Sequence, residues 1–499
     1  MKNRIIAFIL AIITLLTLVS CGDDGKKTSD GKTEVVDLSK FQAADGELVD
    51  VSSAIFAFFL YDYVGQYSQY LMWYGYDVSL PLSKQTSKCA FDETKTWFEY
   101  FAEMTKTTVS QCLAFASAAI EAGMSLSEED LKDLDEYMKK TEEEAYKQGF
   151  DGIEALIANY YCAGISAAEF RACMELQQLA YLYVEKVLDD IDSAEYPTEE
   201  LLSFVERNKD SFYGIDYVHY SFFSDASSTA TEEEKQASYA AAKAKAEALV
   251  SSCTDLEAFK AEIVKLDNEG LEKPREPEAI LKDYTAIHET YKAPSTETDS
   301  SKAYYEWAYS SDRKAGDTYI YEQTLSAGSK YYTVIYLTKP AYLNDAITKD
   351  VRHIFFEVKS TLTGDELKAE EEKILAKAQE VLNTYKAGEM TEDAFAALAV
   401  QHSQDSNAAQ GGIYEHVERG QMVDEFDNWI FDESRNVGDT EIVRTPYGYH
   451  IMYFVGEGYD VWEYKALDML KDELYSNNTD ELVKKYPLTF NEDAIKQIP

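Results

Sequence analysis

The second half of this 499-residue chain contains one pattern twice, and this duplication limits the possible folds more than any other feature. The stretch "VRHIFF" at residues 351–356 resembles "VHYSFF" at 218–223. Further on, "FDNWIFDESRNVGDT" at 426–440 matches "YYEWAYSSDRKAGDT" at 304–318 without a gap. Identities at constant spacing are difficult to explain by composition, so we predict that one domain is present in two copies.

Each copy follows the same order of elements. An apolar strand is followed by an acidic linker, a helix rich in Ala, Lys and Glu, a short second helix and a final apolar strand. We expect the first copy to span residues 213–340 and the second to span 350–458. Aligned by their letters, the copies place Tyr220 where the second copy has His353.

The N-terminus is typical of a bacterial lipoprotein signal. Basic residues precede an apolar stretch from Ile5 to Val19, which is shorter than the ~20 residues that a transmembrane helix needs. A Leu-Val-Ser-Cys box ends at Cys21, and a polar run follows. We therefore predict a signal peptide over 1–21, a lipid on Cys21, a polar tether over 22–50, and attachment to the extracytoplasmic face of the cell membrane. An ordinary secretory signal with an incidental cysteine is the alternative.

The formal net charge of −44 limits the partners of the chain. Nucleic-acid phosphates would be repelled rather than neutralised, so we expect no nucleic-acid partner. A body of this charge is also unsuited to lying flat on anionic lipid. The acidic residues are best interpreted as a solvated surface.

Residues 51–212 show apolar side chains at helical spacing, and helix-start signals occur at Ser127 and Ser166. We predict that this region is almost entirely helical. Its aromatic run, "FAFFLYDYVGQYSQYLMWYGY" at 56–76, has two interpretations. It is either a groove that holds unfolded segments or a buried helix seam whose tyrosine hydroxyls reach water.

Four motifs of the second copy occur together: "VRHIFF", "FAALAVQHSQDSNAAQGG", "GQMVDEFDNWIF" and "TPYGYHIMYF". In this order they resemble the parvulin type of peptidyl-prolyl isomerase, and the whole chain resembles the PrsA foldase lipoproteins, with a helical domain similar to SurA-like chaperones. The resemblance implies an α+β fold with a helical chaperone-like domain followed by two parvulin-like repeats. Each repeat would be a four-stranded antiparallel sheet with helices, the first of them degenerate. Residues 459–499 would pack back on the helical domain.

The resemblance implies catalytic roles for four residues of the second copy. His353 and His450 match the two family histidines, which share a hydrogen-bonded network on central strands of the sheet. Thr445 matches the threonine that orients this pair. Asp405 stands where the family carries Cys or Asp facing the substrate carbonyl. Direct action of the histidines and a purely structural role both remain open.

The reaction itself places few demands on the site. An X-Pro bond must pass a barrier of ~18–20 kcal/mol that arises from amide resonance, and no bond to carbon has to form. An apolar pocket for the proline ring and a few fixed polar groups are sufficient, so we expect neither metal nor cofactor. By resemblance, Met422 and Phe426 form the floor of this pocket, with Tyr414 and Val417 nearby.

Two features of the second copy test this resemblance. After Gly411-Gly412 the family continues Asp-Leu-Gly, whereas this chain continues Ile-Tyr-Glu, so Glu415 stands where a turn often needs glycine. Four of the six histidines of the chain lie in this copy and raise a zinc site as a rival: 353, 402, 416 and 450. No His-x-His or His-x-x-x-His pair and no cysteine ligand accompanies them, so we expect no metal.

The first copy lacks these polar residues. Thr333 aligns with His450, Tyr220 aligns with His353, and His219 would then face the opposite side of its strand. We predict that this copy does not isomerise proline and is an inactive, structural or peptide-holding repeat.

Two functions from different classes follow. The first is a membrane-anchored extracytoplasmic foldase, in which the helical domain holds unfolded or newly exported proteins and the second copy isomerises their X-Pro bonds. The second is a non-catalytic holdase or lipoprotein scaffold that uses both repeats as binding modules. The sequence leaves the client proteins and a homodimer open.

Overall fold

The computed structural model describes residues 53–161, 165–227, 229–291, 301–325, 329–359, 361–488, 490, 492–496 and 498. The predicted signal peptide, the lipidation site Cys21 and the tether over 22–50 lie outside the described residues. Within this part of the chain, no helix is both long enough and apolar enough to cross a membrane. The chain divides into two compact units, Met1–Glu195 with Leu470–Pro499, and Tyr196–Met469.

The first unit is built mainly from helices. Its elements up to residue 195 are α1 (Ser53–Leu71), β1 (Lys88–Cys89), β2 (Asp92–Thr96), α2 (Trp97–Glu121), α3 (Glu128–Lys147), α4 (Ile153–Tyr160) and α5 (Ala167–Ser193). The start signals predicted at Ser127 and Ser166 are confirmed, because each side chain accepts a hydrogen bond from the backbone three residues on. Thr96 caps α2 in the same way. Such caps typically stabilise a helix by ~1 kcal/mol each.

The aromatic run at 56–76 divides between core and surface. Phe56, Phe58 and Leu60 are buried in the core of the helical unit, as the helix-seam interpretation predicts. Past Tyr67 the pattern changes, and Trp73 is 87% exposed.

The second unit begins with the first copy of the repeat. Its elements are α6 (Thr198–Arg207), α7 (Lys209–Phe212), β3 (Tyr213–Phe223), α8 (Glu232–Ser252), α9 (Leu256–Asp267), α10 (Pro277–Asp283), β4 (Thr285–Thr290), α11 (Ser301–Ala308), β5 (Thr318–Thr324) and β6 (Lys330–Leu343). The strands form an antiparallel sheet in the order β4-β3-β6-β5.

The second copy repeats this topology. Its elements are β7 (Ile347–Glu357), α12 (Gly364–Ala387), α13 (Glu392–His402), β8 (Ile413–Val417), α14 (Asp424–Ile430), β9 (Thr440–Thr445) and β10 (Gly448–Asp460). Its sheet has the antiparallel order β8-β7-β10-β9. The two sheets therefore share one strand order, and the predicted α+β fold class with two parvulin-like repeats is confirmed.

The C-terminal strands of the two copies align as the sequence predicts. The motif Gly-Asp-Thr leads into β5 and β9, and both strands pair with the following strand in one register, at Thr318–Tyr336 and Thr440–Tyr453. Thr333 accordingly takes the place of His450.

The N-terminal strands align differently from their letters. Leu337 of β6 pairs with Tyr217, whereas the equivalent Phe454 of β10 pairs with Val351. Strand β3 is therefore shifted by one residue against the alignment of "VHYSFF" with "VRHIFF". Because side chains alternate between the faces of a sheet, a shift of one residue exchanges every face.

His219, not Tyr220, is the structural counterpart of His353. The predicted match of Tyr220 with His353 and the predicted orientation of His219 towards the opposite face are therefore both wrong. The backbone N–H of His219 donates to the carbonyl of Tyr284 at 2.9 Å, just as that of His353 donates to Gly412 at 2.8 Å. The ring of His219 thus lies on the face that carries the site in the second copy. The apparent match of the letters misled because both strands contain apolar residues on both faces.

A polar pair that occurs in both copies supports this register. Asp350 accepts a hydrogen bond of 2.7 Å from the backbone N–H of His416, and Asp216 accepts one of 2.7 Å from His288. Both histidines have a left-handed backbone, with φ of 55° and 49°. The short edge strands β8 and β4 are fixed to the sheets by the same device.

The chain ends with α15 (Val461–Lys485) and α16 (Glu492–Ile495). The first turn of α15 is attached to the loop between the two copies, because Val461 N–H donates to Ala346 and Trp462 N–H to Asn344. Residues near the end belong to the same core cluster as Phe56 and its neighbours: Leu482, Tyr486, Ile495 and Ile498.

Candidate active site

Two buried histidines form the centre of the site in the second copy. His353 on β7 and His450 on β10 lie two positions apart on one face, because His450 pairs with Phe355. Their Nδ1 atoms are 3.0 Å apart, and the rings are nearly parallel, at 12°. His353 is 2% exposed and His450 is 8% exposed. The structure therefore brings the two predicted histidines into direct contact.

Thr445 and Asp405 extend the histidine pair at its two ends, so that the four polar side chains form a line. The buried Oγ1 of Thr445 lies 3.0 Å from Nε2 of His450. On the other side, Nε2 of His353 lies 3.6 Å from Oδ2 of Asp405, a distance of electrostatic contact rather than of a hydrogen bond. Thr445, His450, His353 and Asp405 thus follow one another in space.

The partners of these groups decide where the protons lie. A neutral imidazole has one N–H and one acceptor nitrogen, so only one of the two facing Nδ1 atoms carries a proton. The carboxylate of Asp405 can only accept. With both rings neutral, a donor points at Asp405 only when His353 carries its proton on Nε2. Nδ1 of His353 then accepts from the Nδ1–H of His450. Nε2 of His450 is left as an acceptor, so Thr445 must donate to it. We infer this direction for the whole line.

The pKa values of Asp405 and His450, two members of this line, are both lowered. His353 is the main cause that holds the pKa of Asp405 well below its ordinary value, and Asn407 N–H and the Tyr414 hydroxyl add to this effect. Burial, followed by the neighbouring His353, lowers the pKa of His450 to about 3. Asp405 is consequently ionised and His450 neutral at physiological pH.

The segment that carries Asp405 is attached to β7 by residues that the sequence analysis did not select. Ser403 Oγ accepts hydrogen bonds from Phe355 N–H at 3.1 Å and Asp405 N–H at 3.3 Å. Gln404 Oε1 accepts from Glu357 N–H at 2.8 Å. The polar run "HSQDSN" directly after a helix was the signal for such side-chain to backbone bonds.

The four predicted pocket residues pack in or against one apolar cluster, and two of them, Phe426 and Tyr414, lie against the histidines. Phe426 presents its edge to both imidazole rings, at 5.5 Å from His353 and 5.3 Å from His450. Val417 is 1% exposed and packs in the same apolar cluster, and Met422 packs against that cluster. The ring of Tyr414 lies 5.1 Å from that of His353, and its hydroxyl donates to Asp405 at 3.3 Å. Val417 is thus a supporting wall, since little of its surface is free.

The departure at residues 413–415 has a local explanation. Gly411 and Gly412 both have a left-handed backbone, with φ of 73° and 68°. A Cβ on Gly412 would lie 2.2 Å from the carbonyl oxygen of His353, so only glycine fits there. Past this point β8 runs through Glu415, and His416 supplies the left-handed residue. The strand therefore needs no glycine at 415.

The first copy has a different set of side chains in the same place. Ser221 and Thr333 replace the stacked Phe355 and His450, and their hydroxyls hydrogen-bond to each other at 2.7 Å. His219 therefore has no second imidazole as a partner. Among the described residues, no three His, Cys, Asp or Glu side chains converge as a metal-ligand set in either copy.

Comparison with known proteins identifies the domain around this site. The family model described as a rotamase, the PPIC-type PPIase domain, matches residues 353–456. No curated protein matches the chain. Solved structures of PrsA peptidylprolyl isomerases are similar at low identity. For Bacillus anthracis the identity is 13%, with 61% of this chain and 95% of that chain covered and a TM-score of 0.18.

For PrsA from Bacillus cereus the identity is 17%, with 66% of this chain and 92% of that chain covered and a TM-score of 0.20. For PrsA from Bacillus subtilis the identity is 19%, with 64% of this chain and 87% of that chain covered and a TM-score of 0.19. The assignment of the domain rests on the family match at residues 353–456. Residues 353–456 are a parvulin-type (PPIC) peptidyl-prolyl isomerase domain.

Proposed function

We propose that the chain is a lipid-anchored, extracytoplasmic foldase that isomerises X-Pro bonds in unfolded or newly exported proteins. The observation that supports it best is the continuous line from Thr445 through His450 and His353 to Asp405, placed against an apolar pocket that contains Phe426. Such a site offers what isomerisation requires: a place for the proline ring and fixed polar groups beside the amide.

The charge of Asp405 suits the chemistry. Amide resonance places negative charge on the carbonyl oxygen and keeps the bond planar. A carboxylate facing that oxygen disfavours the planar form and leaves the twisted form, in which the charge has returned to nitrogen, less affected. Each 1.4 kcal/mol of such a difference accelerates rotation about tenfold. His353 supports this charge from behind, because its buried Nε2 has no hydrogen-bond partner within the described residues and lies 3.6 Å from Oδ2 of Asp405.

The residues that bind the proline ring are a separate matter. Phe426 lies against both histidine rings, Met422 packs against the same apolar cluster as Phe426, and neither carries charge. Loss of these side chains should weaken binding of the substrate while leaving the side chains of the polar line in place. Binding and rotation can thus be tested with different variants.

The decisive experiment measures cis/trans exchange of a short unphosphorylated X-Pro peptide by NMR, with the chain from Gly22 onwards. Acceleration that disappears in Met422→Ala/Phe426→Ala supports the isomerase assignment of this site. Tyr304→Ala is the matched control, since Tyr304 aligns with Phe426 in the first copy and should be dispensable. A folded wild-type chain without any acceleration would favour the non-catalytic holdase or scaffold instead.

Anchoring requires its own experiment. Cys21 in its Leu-Val-Ser-Cys box supports acylation, and a single acyl chain binds membranes only weakly, so more than one chain would be required. Cells fed a labelled fatty acid should incorporate it into the wild-type protein but not into Cys21→Ser. Incorporation that is equal in both would refute the anchor at this position.

A further inference from the structure

The end of α1 carries a cluster of large apolar side chains that the isomerase site does not use. Trp73 is 87% exposed, Tyr70 57%, Met72 51% and Tyr74 42%. Phe91 adjoins them at 49%, with its ring 5.1 Å from that of Tyr74. These five residues are called the aromatic tip. Monomeric proteins rarely expose so many large apolar groups in one place without a partner.

The aromatic tip rests on a fixed base. The rings of Tyr70 and Tyr74 are 5.2 Å apart, and their hydroxyls hydrogen-bond at 2.9 Å. Phe91 packs edge-on against Trp97, which is fully buried. The tip is therefore a defined surface rather than a loose loop.

The exposure of the tip is highest at Trp73. This side chain is 87% exposed, so the protein covers little of the indole, whereas Tyr74 and Phe91 are about half-buried, at 42% and 49% exposed. An indole so little covered by its own protein is able to enter a soft medium.

The sequence segment that carries the tip differs in net charge from the whole chain. The net charge of residues 70–95 is zero, whereas that of the whole chain is −44. The segment contains three acidic and three basic side chains: Asp77, Asp92, Glu93, Lys84, Lys88 and Lys95. A second copy of this chain would bring an equally acidic body against the first, which disfavours self-association. A partner surface without net charge would not be repelled by the acidic body in this way.

We propose that the aromatic tip inserts into the headgroup region of a lipid bilayer. Trp and Tyr favour this region because an apolar ring and a polar N–H or O–H are accommodated at once. The inference rests on the proposed function in one respect, since an acyl anchor on Cys21 would hold the body beside a bilayer. The tip then provides a second, weaker contact that orients the helical unit.

The test uses the chain from Gly22 onwards, which has no anchor, with vesicles of zwitterionic phosphatidylcholine. We expect measurable co-sedimentation and at least a tenfold loss of partitioning in Trp73→Ala/Met72→Ala. Ile287→Ala is the matched control, because Ile287 is 75% exposed but belongs to the other unit. Binding should fall as phosphatidylglycerol replaces phosphatidylcholine, because the body is acidic.

Contact of the tip itself is read from fluorescence. Lipids brominated near the headgroup should quench the wild-type chain, whereas Trp73→Phe should bind nearly as well but lose that quenching. Absence of vesicle binding, binding that survives Trp73→Ala/Met72→Ala, or protection of the tip only by a second copy or by a denatured polypeptide would overturn the proposal. Isomerase activity and acylation of Cys21, measured separately, would be unaffected by such a failure.

Discussion

Nδ1 of His353 lies 3.0 Å from Nδ1 of His450, so only one of these two facing nitrogens carries a proton. Charging both rings would place two cations in contact. Burial, and after it the neighbouring His353, lowers the pKa of His450 to about 3.

The first prediction concerns stability in acid. An unfolded histidine has a pKa of ~6.5, so between about pH 6.5 and pH 3 the unfolded chain binds a proton that folded His450 does not. The free energy of unfolding is therefore retained above pH 6.5 and lost as the pH falls towards 3, by up to about 1.4 kcal/mol per pH unit from this residue. Urea unfolding from pH 7 to pH 4 should show a smaller loss in His450→Gln. Equal slopes for both chains would contradict the low pKa.

The second prediction concerns the charge of Asp405. Its pKa is held below the ordinary range, in part by the Tyr414 hydroxyl, so wild-type kcat/KM should not decline until the pH is below that of ordinary carboxyl titration. Tyr414→Phe removes one donor and should move the acidic decline to higher pH. Asp405→Asn should lower kcat/KM about tenfold or more and abolish that decline. An unchanged acidic limb in Tyr414→Phe would exclude the hydroxyl from this role.

The third prediction concerns the double glycine. Gly412→Ala would force a Cβ against the carbonyl of His353, so it should destabilise the domain by more than about 3 kcal/mol. Gly420→Ala is the control, because Gly420 also has positive φ but nothing within 4 Å, and should lose only about 1 kcal/mol. Hydrogen exchange in β7 and β8 under increasing urea measures both. Similar losses in the two variants would show that the close approach to His353 is unimportant.

The fourth prediction separates the two copies. His219 occupies the position of His353 but has Thr333 in place of a second histidine. His219→Ala should leave X-Pro exchange within about twofold of wild type, whereas His353→Ala should reduce it about tenfold or more. A matching loss in His219→Ala would mean that the first copy is active.

The fifth prediction concerns the support of the pocket by α15. The ring of Tyr464 stacks on His416 at 5.0 Å, and its hydroxyl donates to Glu418, which also contacts Lys465 at 2.7 Å. Tyr464→Ala should loosen the end of β8 next to Val417 and raise KM more than it lowers kcat. Tyr459→Ala, which removes the other ring beside His416, is the comparison. Unchanged hydrogen exchange at Val417 and Glu418 in Tyr464→Ala would contradict the coupling.

The sequence predicts the composition of the site better than its internal geometry. His353 and His450 are found because their motifs are local and their strands are apolar, and the fold class follows from the repeated order of elements. The register of β3 was not predictable from letters, since β3 is apolar on both faces and nothing in "VHYSFF" marks which face is buried. The attachment of Asp405 through Ser403 and Gln404 depends on bonds to the backbone of β7, and such bonds leave only a weak trace in sequence.

The contribution of Leu482, Tyr486, Ile495 and Ile498 to the core around Phe56 affects the order in which the chain can fold. The helical unit contains both ends of the described chain, while the two repeats between them form a continuous segment. During synthesis from the N-terminus, the repeats can complete their sheets while the helical unit still lacks part of its interior. The region that is translated first is thus completed last. A nonsense codon near the C-terminus would remove core residues of the helical unit and leave the residues of the isomerase domain in place.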